Sequence, residues 1–104
     1  MIDVKTFYSI YKNCHVEIGT YTYSGAPCVR LWNFKDGPIA TLTVCIPGYD
    51  LDKDESFVDT NNCPWAMDLI KDYGLGQPAG WYGRSGYCVY PVVKFDMNEI
   101  EKHA

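Results

Sequence analysis

Between Cys14 and Ile46 the chain alternates with a period of two, broken by turn residues at Ser24-Gly25 and Asp36-Gly37. Side chains alternate faces along a strand, so this pattern demands paired strands and gives no helical stripe. In the first run Val16, Ile18, Thr20 and Thr22 share one face, while His15, Glu17, Gly19, Tyr21 and Tyr23 share the other. In the second, Cys28 to Phe34, Val29 and Leu31 lie opposite Arg30, Trp32 and Phe34. Asp36-Gly37 predicts a type I′ hairpin turn, because glycine accepts positive φ at little cost. Pro38 suits a strand start, and Ile39 to Ile46 gives a third run ended by Pro47-Gly48. Three strands in meander order follow.

Beyond Ile46 the signals change. Tyr49 to Thr60 is acidic and irregular. A helix is expected from near Asn62 to just before Gly74, with Asn62 as cap and Pro64 in the first turn. Trp65, Ala66, Leu69, Ile70 and Tyr73 form its apolar stripe. Gly74 to Gly86 holds five glycines and Pro78, which reads as a loop. Tyr87 to Phe95 reads as a strand that Pro91 demotes to an edge or a bulge. Residues 2–12 fit helix or strand equally, and Met97 to Ala104 reads as a short, frayed helical tail. The expected fold is α+β in one domain, residues 1–104. It is an antiparallel β-meander of about four to five strands with one main helix packed on one face, ordered ββββαβ or βββαβ.

Composition narrows the function classes. A net charge of −4, with no two basic residues adjacent, disfavours binding of duplex nucleic acid. No run approaches the roughly 20 apolar residues of a membrane span, and the N-terminus lacks a signal-peptide pattern. The five cysteines include no CxxC pair and read as reduced, mostly buried thiols. These readings place the chain in the cytoplasm, away from membranes.

No catalytic constellation stands out. The histidines are His15 and His103; Cys14 and His15 point to opposite faces of a strand, which argues against a shared metal ion. Asp50-Leu51-Asp52-Lys53-Asp54-Glu55 opens like a calcium loop but has Glu55 where glycine is needed and Asn61 where glutamate is needed. No metal, cofactor or catalytic residue is assigned. Two kinds of binding surface remain. If a helix covers one sheet face, Tyr21, Tyr23, Arg30, Trp32 and Phe34 lie on the other, with the composition of a protein-binding hot spot. The acidic loop residues Asp50, Asp52 and Asp54 form a second contact candidate. Separately, Trp81, Tyr82, Arg84 and Ser85 lie in the glycine-rich stretch, where free amides, a guanidinium and aromatic rings could hold a small anionic ligand.

Two stretches resemble a known family. One runs from Gly19-Thr20-Tyr21 through the turns to Ala40-Thr41-Leu42-Thr43-Val44. The other joins Asp59-Thr60-Asn61-Asn62, Gly74-Leu75-Gly76-Gln77-Pro78 and Gly83-Arg84-Ser85-Gly86-Tyr87-Cys88 with Tyr90-Pro91. Over roughly Tyr11 to Met97 the chain resembles a family of small uncharacterised domains found on conjugative elements and phages of gut bacteria. The resemblance implies no activity and carries over no catalytic residue; it implies a mobile-element context in which short accessory proteins counter host defences. The leading expectation is a non-enzymatic inhibitor of a host antiphage defence complex, similar to an anti-CRISPR protein, acting as a monomer or homodimer. The alternatives are a sponge for a nucleotide-like signal and a small enzyme acting on such a molecule.

Overall fold

The computed structural model describes residues 1–104. Its elements are β1 (Ile2–Lys5), β2 (Ile10–Thr20), β3 (Pro27–Asn33), β4 (Gly37–Thr41), β5 (Thr43–Val44), β6 (Glu55–Val58), α1 (Ala66–Asp72), β7 (Gly76–Ser85), β8 (Cys88–Phe95) and α2 (Met97–Glu101). They build two four-stranded antiparallel sheets, ordered β1-β2-β3-β4 and β5-β6-β8-β7. The fold is therefore mainly β with two short helices, which corrects the expected α+β sheet under one main helix.

The β2-β3-β4 meander stands as the alternation requires, and β1 extends it. Of residues 2–12, the first four and the last three are strand, joined by a turn at Thr6–Ser9; in β1 Ile2 and Val4 are buried while Asp3 and Lys5 are exposed, a period of two. The β3-β4 turn differs from the expected type I′ form. Asn33 pairs with Gly37, leaving three residues between them, and only Gly37 has positive φ, at 74°. The Asn33 Oδ1 accepts the Asp36 N–H at 2.6 Å and holds this loop.

The predicted strand Ile39 to Ile46 is broken in the middle. Leu42 donates its N–H to Val29 O at 2.8 Å and accepts from Asp59 N at 2.7 Å. Its two backbone groups thus bond to different sheets, and the chain changes sheet there. Leu42 is fully buried.

Most of the second sheet lies where sequence patterning is weakest. β6 falls in the stretch expected to be irregular, and all four of its residues are buried. β7 replaces the expected glycine loop, because two of its glycines are needed for close strand packing. A Cβ on Gly76 would sit 2.7 Å from Lys94 O, and one on Gly83 would overlap the Phe57 ring. Pro91 lies on an interior strand, not an edge; β8 runs between β6 and β7, and a register shift in β7 between Pro78 and Tyr82 takes up the disturbance. Gly86, at φ 61°, and Tyr87 form the β7-β8 turn between the paired Ser85 and Cys88, with glycine where a type II′ turn wants it.

The helix starts later than expected. Asn62 does not cap it; its N–H and side-chain amide instead donate to the two Asp59 carboxylate oxygens at 3.2 and 2.9 Å. α1 then begins at Ala66 and ends in a Schellman motif, with Leu75 N to Ile70 O at 2.9 Å and Gly74 N to Lys71 O at 3.2 Å. The tail is docked, not frayed. Asp96 caps α2 through Glu99 N, Ile100 is buried, and His103 O accepts the Val16 N–H at 2.8 Å. A cluster of 16 buried residues draws on both sheets and both helices. A smaller one, Ile46, Phe57, Tyr90 and Val92, lies on the other face of the second sheet, with Leu51 of the acidic loop packed against it.

Candidate functional site

Antiparallel register decides which side chains meet. β2 and β3 pair His15 with Trp32, Glu17 with Arg30 and Gly19 with Cys28, so these residues form one stripe across the sheet. Their alternates Val16, Val29 and Leu31 are buried in the core, so the stripe faces outward, except at Cys28, which is covered. His15 stacks on Trp32 at 4.6 Å between ring centroids, 22° from parallel. Phe34 meets Trp32 edge-on at 4.9 Å and His15 at 5.5 Å. Phe34 is 85% exposed, so the group is an open aromatic platform and no part of the core.

Beside the platform, Arg30 lies 3.6 Å from the Glu17 carboxylate, with both side chains about half exposed. The Cys28 thiol and the Glu17 carboxylate push the Arg30 guanidinium further up, so it stays charged. A groove of about 540 Å³ follows, lined by Arg30, Trp32, Pro38, Ile39 and Thr41 among others. Trp32, Phe34 and Arg30 thus come together as the alternation implies.

The two tyrosines assigned to the same face separate from them. Tyr21 is half-buried, its hydroxyl 2.9 Å from Thr43 Oγ1. Burial pushes it up to about 12, with the Thr43 hydrogen bond opposing that rise. Tyr23 is 86% exposed in the β2-β3 turn. His15 belongs to the platform although sequence reading treats it only as a possible base or ligand. Its place beside Glu17 on the alternating face is the signal that points to it.

The acidic loop splits by position. Asp50 and Asp52 are exposed, and Asp54 is half-buried. The turn is closed from within, since Glu55 Oε1 accepts the Asp52 N–H at 2.9 Å and Asp52 O accepts the Glu55 N–H at 3.0 Å. The loop thus covers the smaller cluster while its first carboxylates face solvent.

The four residues of the glycine-rich stretch do not converge. Trp81 turns inward onto Phe57 at 5.8 Å, whereas Tyr82, Arg84 and Ser85 are exposed. The Arg84 N–H donates to the Tyr49 hydroxyl at 2.9 Å, so that amide is already engaged. Tyr73 does the same for β1, its hydroxyl accepting from Asp3 N at 2.9 Å and donating to Asp3 O at 3.2 Å. Two tyrosines thereby close strand edges, a role no sequence pattern marks.

All five cysteines are free, and no cluster of three or more His, Cys, Asp or Glu side chains is arranged to hold a metal ion. No helix is long and apolar enough to cross a membrane. No curated protein and no solved structure matches the chain. A family model does match residues 15–104, from His15 of the platform to the docked tail, and the chain belongs to that family, described as a domain of unknown function, DUF4313.

Proposed function

We propose that this chain is a non-enzymatic binding protein that docks a protein partner on the outer face of its first sheet. The supporting observation is the His15–Trp32–Phe34 platform: two stacked rings with a third set edge-on and 85% exposed, bordered by Arg30 and a groove. Exposed aromatics beside an arginine are the residues that dominate binding energy where proteins meet. His15, Trp32 and Arg30 stand on paired strands, with Phe34 in the turn that follows, so little backbone order is lost on docking. The partner we assign is a host defence protein or complex in the cytoplasm of a bacterium carrying a mobile element, a choice that rests on the resemblance described above.

The test is native mass spectrometry of the tagged chain and its Trp32→Ala and Arg30→Ala variants, each purified gently from a defence-bearing host. A stoichiometric defence subunit on the wild type, lost from both folded variants, is expected. The same subunit retained on Trp32→Ala overturns the surface assignment. A small-molecule mass surplus with no protein companion overturns the protein-partner reading and favours the nucleotide-sponge alternative.

A further inference from the structure

We propose a second binding site, an aromatic-walled groove between β1 and α1 that takes an arginine side chain presented by a partner polypeptide. The groove has a volume of about 730 Å³, and Phe7, Trp65 and Tyr73 stand around it above Leu69. Phe7 is 73% exposed. The turn that carries it is tied by Thr6, whose Oγ1 accepts from Tyr8 N at 3.2 Å and Ser9 N at 3.0 Å. Tyr73 is fixed, because its hydroxyl bridges Asp3 N and O. One aromatic wall is therefore fixed by its hydroxyl, and the backbone that carries another is held in a turn.

Charge selects the occupant. Asp3, Asp68 and Asp72 line the groove against a single cation, Lys5. None of the three carboxylates takes part in an ion pair; those present are Arg30–Glu17, Lys102–Glu99 and His103–Glu99. Asp68 and Asp72 stand four residues apart on one helix, a like-charge spacing that weakens an isolated helix. A cation between them relieves that repulsion. A guanidinium suits the groove better than an ammonium, since it stacks on aromatic faces and offers a planar fork of donors to carboxylates. The site is separate from the platform and does not depend on the function proposed for it.

The test is an NMR titration of the ¹⁵N-labelled chain with N-acetyl-Gly-Arg-Gly-amide, with the matching Glu peptide as control. The Arg peptide should shift the Trp65 indole and the amides of Phe7, Asp68 and Asp72, and added salt should weaken it. In Asp68→Asn/Asp72→Asn, whose side chains are on the surface, affinity should fall by about tenfold, the effect of losing charge-assisted bonds of about 1.5 kcal/mol. A Phe7→Ala variant should weaken binding while leaving the Trp65 spectrum of the free chain in place. No shifts with the Arg peptide, equal shifts with the Glu peptide, or undiminished affinity in the double Asn variant would each overturn the proposal.

Discussion

Thr43 sits beside the residue where the chain leaves one sheet for the other, and its hydroxyl is the most consequential single polar group there. Its Oγ1 accepts the Val29 N–H at 3.1 Å and lies 2.9 Å from the Tyr21 hydroxyl. Thr43 is 3% exposed and Val29 fully buried, so water cannot replace this acceptor. Thr43→Val keeps the shape and removes the oxygen. The stranded Val29 N–H should cost about 1–3 kcal/mol, the desolvation penalty of an unpaired buried donor. Tyr21 adds little, since it is half-exposed and can turn to water. At about 4–8 °C per kcal/mol for a domain of this size, the melting temperature should fall by roughly 5–20 °C. Thr43→Ser keeps both bonds and loses one buried methyl, about 1 kcal/mol. Urea unfolding followed by tryptophan fluorescence reads both variants, with unchanged m-values showing that only stability moved. If the Val variant proves as stable as the wild type, or clearly more stable than the Ser variant, the hydroxyl does not join the two sheets as argued.

Three further outcomes follow from the core. Gly83→Ala drives a Cβ into the Phe57 ring and should cost about 1–3 kcal/mol as overpacking, read as an earlier urea midpoint; an unchanged midpoint contradicts that packing. The Ser56 hydroxyl is buried without a hydrogen-bond partner, so Ser56→Ala should raise stability or leave it level, and a loss above about 1 kcal/mol would show a hidden partner. Burial, reinforced by Asp59, pushes the Cys63 thiol from 9.0 up to about 11, and burial pushes Tyr21 from 10.0 up to about 12. Both groups are neutral when protonated, and the folded state holds their protons more tightly than the unfolded one. Their contribution is therefore complete below pH 9 and is lost as pH rises, through 9–11 for Cys63 and 10–12 for Tyr21. Cys63→Ala should flatten the first of these declines in a series of urea midpoints against pH, and an unaltered profile would refute the assignment.

How far the sequence discloses the fold depends on where each strand's neighbours lie. The first sheet is legible because β2 and β3 have one wet face and one dry face, so Val16, Val29 and Leu31 alternate with Glu17, Arg30 and Trp32. β6 is dry on both faces, and Glu55 and Ser56 hide it by being polar. Glu55 tolerates that burial because its carboxylate accepts the Asp52 N–H. β7 is concealed by glycines that read as flexibility but serve close approach at Gly76 and Gly83. The platform residues Arg30, Trp32 and Phe34 were readable from parity alone; their junction with His15 required the register, which no single strand carries. The tyrosine edge closures join residues far apart in the chain and leave no local trace.

Several residues of the segments that carry the family resemblance build the frame, although those segments also include the exposed Arg30, Phe34, Arg84 and Tyr87. Asp59 receives both Asn62 donors and gives its N–H to Leu42, so the Asp-Thr-Asn-Asn stretch secures the crossing between sheets. Gly74 and Leu75 end α1, Gly83 admits Phe57, and Gly86 makes the final turn. None of these residues lies in the aromatic platform or in the groove beside α1. Membership in a family described only as a domain of unknown function leaves the partner open. What this chain binds has to be read from residues such as Trp32, Phe34 and Phe7. β1 and Phe7, in the turn that follows it, precede the matched region, which starts at His15, so the groove beside α1 is built partly from outside it. Replacing Phe7 in the β1-β2 turn should therefore change what the groove accepts while leaving the platform and the core as they are.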